Sequence, residues 1–286
     1  MVGLEAGSIV QARKPNKVNL QCTSVSWNAT GSSLAVSYGN TDVSGWCDYP
    51  GAVCLWNIFG RTFDSMNPDI ILDHSSGIIC VKCHPVQPAI VAGGAFSGEI
   101  ILWDLTLPEQ VMAVSPITDY GHKEPVMDME WVFDPTTGDW LLCTVGADGR
   151  LLFWTASNSL KYPVKGALLA ASSTGKNKSS SSSSRKGQGC YGGSSLSFSG
   201  GPVGGSRGPS SLPKWLVVGQ QGGSIVRSQV LKVLGASASS RYTKETFKSY
   251  PSIESIYAPV KKVDEIFAHE SHVGAVTSTS CSPFNG

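Results

Sequence analysis

The chain has 286 residues, 41% of them hydrophobic, enough to bury a core. Its 22 Lys+Arg against 21 Asp+Glu leave a net charge of +1, so there is no basic footprint for nucleic acid or an anionic membrane surface. Charged residues reach only 15% and glycine is abundant at 32, a balance that suits turn-rich β structure better than a helix bundle.

Residues 1–19 carry no apolar leader core and read as a flexible N-terminal segment, and no apolar run has membrane-spanning length. From residue 20 onward one unit recurs: an apolar strand, a second strand, a Gly-rich turn and a strand closing on Trp. The first copy uses residues 23–28 (TSVSWN), 33–37 (SLAVS) and 52–57 (AVCLWN), with room for a fourth strand near 70–72. The second uses 78–85 (IICVKCHP), 89–94 (AIVAGG) and 98–104 (GEIILWD), ending on Trp103-Asp104. The third uses 126–131 (VMDMEW), 140–149 (WLLCTVGADG) and 150–154 (RLLFW). The closing Trp56, Trp103 and Trp154 fall 47 and 51 residues apart, the spacing of propeller blades.

A degraded fourth copy follows, with 195–199 (SLSFS), 215–223 (WLVVGQQGG) and 224–230 (SIVRSQV) and no closing Trp. Residues 171–213 hold 15 Ser and 10 Gly, and most of that stretch reads as a disordered low-complexity insertion around the fourth inner strand. A fifth copy opens at 269–276 (HESHVGAV) and reaches 281–284 (CSPF). The expected fold is therefore all-β: an incomplete propeller of about four blades plus the start of a fifth, spanning 20–286. A chain that stops inside a repeat is expected to be a fragment or an unusual form.

Three motifs invite chemistry. Cys80-x-x-Cys83-His84 has the spacing of a haem-attachment or half-zinc motif, but positions 80 and 83 on a strand face opposite ways. No second C-x-x-C completes a zinc set. His122, Thr144, Asp148 and Trp154 can form one buried hydrogen-bonded chain within a blade, and this reading outweighs a hydrolytic triad because no Gly-x-Ser-x-Gly elbow supports the latter. No phosphate loop is present. The reading is a non-enzyme with no catalytic, cofactor or metal residues, in which Trp56, Trp103, Asp104, His122, Thr144, Asp148 and Trp154 hold the blades. Trp46, Tyr49, Phe59 and Phe96, on or beside loops, are softer candidates for contact surface.

Together these strings carry a resemblance. Residues 25–39 (VSWNATGSSLAVSYG), 84–104 (HPVQPAIVAGGAFSGEIILWD) and 118–122 (TDYGH), with Gly219-x-x-Gly-Gly223 and 276–284, resemble the WD-repeat dynein intermediate chains, in particular the dynein 2 type of retrograde intraflagellar transport. The resemblance covers roughly 20–160 and 214–284. It implies a WD40-type propeller acting as a non-catalytic scaffold. Its implied partners are the dynein heavy chain and other dynein subunits, in the cytoplasm, cytoskeleton, ciliary axoneme and basal body. The segment that binds light chains in that family has no counterpart before residue 20. An axonemal intermediate chain or a general WD-repeat platform is the alternative.

Overall fold

A computed structural model describes residues 20–40, 49–61, 63–169, 192–199, 212–234, 264–265 and 274–281. Sixteen strands in these residues form four antiparallel sheets of four. The first holds β1 (Gln21–Trp27), β2 (Ser33–Gly39), β3 (Gly51–Asn57) and β4 (Ile70–His74). The second holds β5 (Ile78–Cys83), β6 (Ile90–Ala95), β7 (Ile100–Asp104) and β8 (Val111–Val114). The third holds β9 (Val126–Asp134), β10 (Asp139–Gly146), β11 (Arg150–Thr155) and β12 (Lys165–Leu168). The fourth holds β13 (Gly193–Phe198), β14 (Trp215–Gln220), β15 (Ile225–Gln229) and β16 (Asp264–Glu265), with a short helix α1 (Val230–Leu234) after β15.

Each sheet is a meander in chain order, and the first strand of each lies against the first strand of the next. This is the incomplete propeller anticipated from the repeats. Among the described residues no seam joins the fourth sheet back to the first. The inner strand of the fourth sheet falls inside 171–213, where the sequence placed it, and the remainder of that insertion lies outside the described residues, as does the segment 1–19.

The register explains the recurring Trp. Trp56 pairs with Leu34, Trp103 with Val91 and Trp154 with Leu142. In the fourth sheet Ser228 takes that place opposite Leu216. Each of the latter two indoles reaches back to the sheet before it. Trp103 packs with Ala35, Val53, Leu55 and Leu72 of the first sheet, and Trp154 with Ala92, Ile100, Leu102 and Ala113 of the second. Gly93 and Gly94 make this possible. A Cβ on Gly93 would lie 2.6 Å from the Trp103 ring, and one on Gly94 would lie 2.7 Å from both Cys80 Sγ and Val126 Cγ1.

Polar bonds cross the seams beside the apolar contacts. Thr23 Oγ1 donates to Ile78 O at 2.7 Å, and Cys83 N donates to Ser26 Oγ at 2.9 Å, joining sheets one and two. Ser194 Oγ donates to Val276 O at 2.5 Å, and Cys281 N donates to Ser197 Oγ at 2.8 Å. Residues 274–281 thus dock on the fourth sheet as β5 docks on the first, in the place the sequence assigned to a fifth repeat.

Trp103 is 1% exposed and central to the first seam. Trp103→Ala is expected to lower unfolding free energy by about 3–5 kcal/mol in a urea titration. A loss below ~1 kcal/mol, the range of surface substitutions, would place the indole outside the core.

Candidate functional site

The densest arrangement of chemically capable side chains lies in the third sheet. His122 enters from the turn before β9, Thr144 sits on β10, Asp148 on the β10–β11 turn and Trp154 on β11. The structure brings these four together. His122 Nδ1 lies 3.1 Å from Asp148 Oδ1, His122 Nε2 lies 2.8 Å from Thr144 Oγ1, and Trp154 Nε1 donates to Thr144 Oγ1 at 2.9 Å. Asp148 also accepts from Lys123 N and Arg150 N, and its Oδ2 lies 3.6 Å from Arg150 Nε. Burial raises the Asp148 carboxyl, but the His122 bond and charge and the two backbone N–H groups outweigh it and hold the carboxyl below its ordinary value. Gly146 leaves room for the imidazole, since a Cβ there would fall against His122 Nδ1.

The order carboxylate, imidazole, hydroxyl is that of a hydrolytic triad, and burial decides against that use. Thr144 is 0% exposed, its hydroxyl oxygen already receives the indole N–H, and the His122 ring is fully buried. A nucleophile needs a lone pair directed at a substrate atom, and no substrate reaches this one. What the arrangement can do is satisfy four buried polar groups at once and pin the β10–β11 turn.

The remaining sequence candidates separate. Asp104 takes no part in a buried chain: its Oδ1 accepts from Thr106 N and Oγ1 and closes the turn after β7. Trp56 is buried, yet its Nε1 has no partner, because Val36 occupies the position that Thr144 holds in the third sheet. Trp103 faces Gly93 at that position. Cys80 and Cys83 lie in different seams, Cys80 with Val126 and Met129 and Cys83 with Ala35 and Leu55, as strand alternation requires. Burial pushes both thiols up, away from the thiolate that ligates or attacks. His84 packs edge-on against Trp131 and Trp140 at 4.7 and 5.4 Å, and its Nδ1 accepts from Val86 N and Gln87 N. Burial lowers its imidazole to about 4. Among the described residues no group of three or more His, Cys, Asp or Glu is placed to hold a metal. Phe59 is 78% exposed, Tyr49 and Phe96 are half-buried, and Trp46 lies outside the described residues.

Sequence reading missed Asp128. From β9 its Oδ2 accepts Leu196 N of the fourth sheet at 2.7 Å, doing across the third seam what Ser26 does across the first. Desolvation by burial raises its carboxyl to about 6, against the lowering influence of the Leu196 and Met129 N–H bonds and of Lys82. Lys82 itself pairs with Glu130 at 2.9 Å between the second and third sheets. The signal was a lone acid at an inner-strand position where the other repeats carry Ser24, Cys80 and Ser195.

Residues 50–114 match the family model described as the dynein axonemal intermediate chain 3 WD40 domain. Cytoplasmic dynein 2 intermediate chain 2 of Mus musculus is 30% identical over 269 residues, covering 93% of this chain and 45% of the relative. The chain is a relative of the WD-repeat dynein intermediate chains. The Homo sapiens dynein 2 intermediate chain 2 is 28% identical over 268 residues with the same coverage, and dynein axonemal intermediate chain 1 of Bos taurus is 27% identical over 142 residues, 49% of this chain and 19% of its own. The chain spans a little under half the length of the dynein 2 relatives. A chain of the solved Mitotic Checkpoint Complex overlaps 75% of this chain and 49% of its own with TM-score 0.46 and 15% identity.

Thr144→Val is expected to orphan the Trp154 indole and the His122 imidazole, at a cost of ~1–3 kcal/mol for each buried group left unbonded. Thr144→Ser should recover most of that loss in the same denaturant titration.

Between about pH 4 and 6 the folded state holds a proton on Asp128 that the unfolded chain releases. This contribution therefore stabilises below pH 4 and is lost as pH rises through 6, by on the order of 2–3 kcal/mol. Asp128→Asn is expected to flatten this slope in melts run across the window, and an unchanged slope would show that Asp128 is not its source.

Proposed function

We propose that this protein is a non-catalytic intermediate-chain scaffold of a ciliary dynein of the dynein 2 type. In this reading it binds the dynein heavy chain, supports retrograde intraflagellar transport and cilium assembly, and resides on the cytoskeleton of the cilium. The observation that carries the reading is the match to dynein 2 intermediate chains across 93% of the chain, where the axonemal relative is matched over 49%. The physical character of the molecule supports it. The triad-like arrangement found among the described residues is sealed in a sheet, and the stacked sheets present loops and outer strands on a rigid support, which suits holding partners in fixed geometry. Residues 20–286 form the propeller portion in this reading, with 171–213 as a low-complexity insertion and 1–19 as the segment before it.

The alternative is another WD-repeat adaptor, such as an axonemal intermediate chain, favoured by the family model over residues 50–114. Affinity purification of the tagged protein from ciliated cells separates the two. The dynein 2 heavy chain is expected to co-purify, with axonemal heavy chains absent. Recovery of axonemal heavy chains alone would move the assignment to the alternative, and recovery of no heavy chain would overturn both.

A further inference from the structure

The loops at one end of the first two sheets carry apolar side chains that the fold does not use. β1 and β5 run side by side, with Thr23 bonded to Ile78 O near their starts and Ser26 to Cys83 N near their ends. The connections after β1, β3, β5 and β7 therefore all leave at the same end. On them Phe59 is 78% exposed, Met66 54%, Phe63 and Val86 49%, and Leu107 42%. Single exposed apolar residues are ordinary, but here three fall within eight positions of one loop and two more on the neighbouring connections. Ile70 and Leu105, where the β3–β4 and β7–β8 loops meet the sheets, pack on the same first-seam cluster, so both loops spring from one seam.

These loops are held in shape by their own hydrogen bonds. In the β3–β4 loop Ile58 N donates to Ser32 O, Phe59 N to Asn57 Oδ1, Met66 N to Asp64 Oδ1 and Asp69 N to Leu55 O, while Asp69 Oδ2 accepts Asn57 N. In the β7–β8 loop Leu105 N donates to Ala89 O, Thr106 N to Asp104 Oδ1 and Leu107 N to Asp104 O. Apolar side chains displayed on a fixed backbone bind without an ordering cost, which is the character of contact hot spots.

Charge says what covers them. The whole chain is balanced, with 22 Lys+Arg against 21 Asp+Glu, yet at this end Asp64, Asp69, Asp104 and Glu109 surround the apolar group with Arg61 as the counter-charge. None of these four carboxylates forms an ion pair among the described residues. The Met66 N–H and the Asn67 amide hold the Asp64 carboxyl below its ordinary value, so it stays ionised. An apolar centre with an acidic rim is complementary to an apolar stripe flanked by Lys or Arg. The loop N–H groups named above are already bonded within the loops, so an extended strand finds no ladder to join here, whereas a helix needs none.

We propose that this end of the first two sheets, built on Phe59, Phe63, Met66, Val86 and Leu107, docks a basic amphipathic helix of a partner protein. The apolar stripe of the helix covers the exposed side chains and its cations meet Asp64, Asp69, Asp104 and Glu109. The inference rests on this surface alone and stands or falls separately from the dynein reading.

Two dye-labelled helical peptides test it against the whole chain by fluorescence anisotropy at low salt. Both carry a Leu stripe, flanked by Lys in one and by Glu in the other. The Lys peptide is expected to bind at least about tenfold more tightly, and added salt should narrow the gap. Phe59→Ser with Phe63→Ser should weaken it by at least about tenfold and leave the melting temperature unchanged, because both rings are exposed. Met66→Ser with Leu107→Ser should act likewise, and Asp69→Asn with Glu109→Gln should reduce the preference for Lys. Equal affinities of the two peptides, binding by neither, or full binding by Phe59→Ser with Phe63→Ser overturns the proposal. So does light scattering that shows a dimer lost in that double variant, which would give the surface to a second copy. Binding that emerges only when residues 235–263 are deleted overturns it too, in favour of that segment of the chain.

Discussion

A four-stranded sheet of this composition has two apolar faces and cannot bury either by itself. Everything else in the molecule follows from laying one sheet on the next. The closing Trp side chains span the gap, the Gly93-Gly94 pair lets the backbones come close, and the small Cys80 and Cys83 fill the two sides of one strand. The hydrogen bonds that cross each seam serve the same end: they fix the stagger between inner strands, which apolar contact alone leaves loose.

The buried polar groups show how differently one repeat can be finished. The third sheet completes a chain from carboxylate through imidazole and hydroxyl to indole, so each member has a partner. The first sheet keeps the indole but substitutes Val36 for the hydroxyl, and Trp56 Nε1 is left without a partner. The fourth replaces the indole with Ser228 and draws α1 into the core through Val230, Val233 and Leu234. These are local solutions to one packing problem, and they give each seam its own chemistry.

Much of the fold was legible because its signals are periodic. Strand alternation separates Cys80 from Cys83, and the spacing of Trp56, Trp103 and Trp154 marks three blades. The outer strands β8 and β12 were harder to read: Val111–Val114 and Lys165–Leu168 are four residues each and lack a turn signature. The network of His122, Thr144, Asp148 and Trp154 was readable since all four sit at fixed offsets in one repeat. Asp128 was not, because it acts across a seam. Its importance depends on which position of a neighbouring repeat it faces, and that needs a register no single strand supplies.

Because each sheet touches only its neighbours, the stack behaves as a nearly one-dimensional chain of coupled units. Stability is then a property of the links more than of the units. The links differ in kind: the first is tied by Thr23 and Ser26, the second carries the Lys82–Glu130 pair and the third the Asp128 carboxyl, so salt and pH act on them unequally.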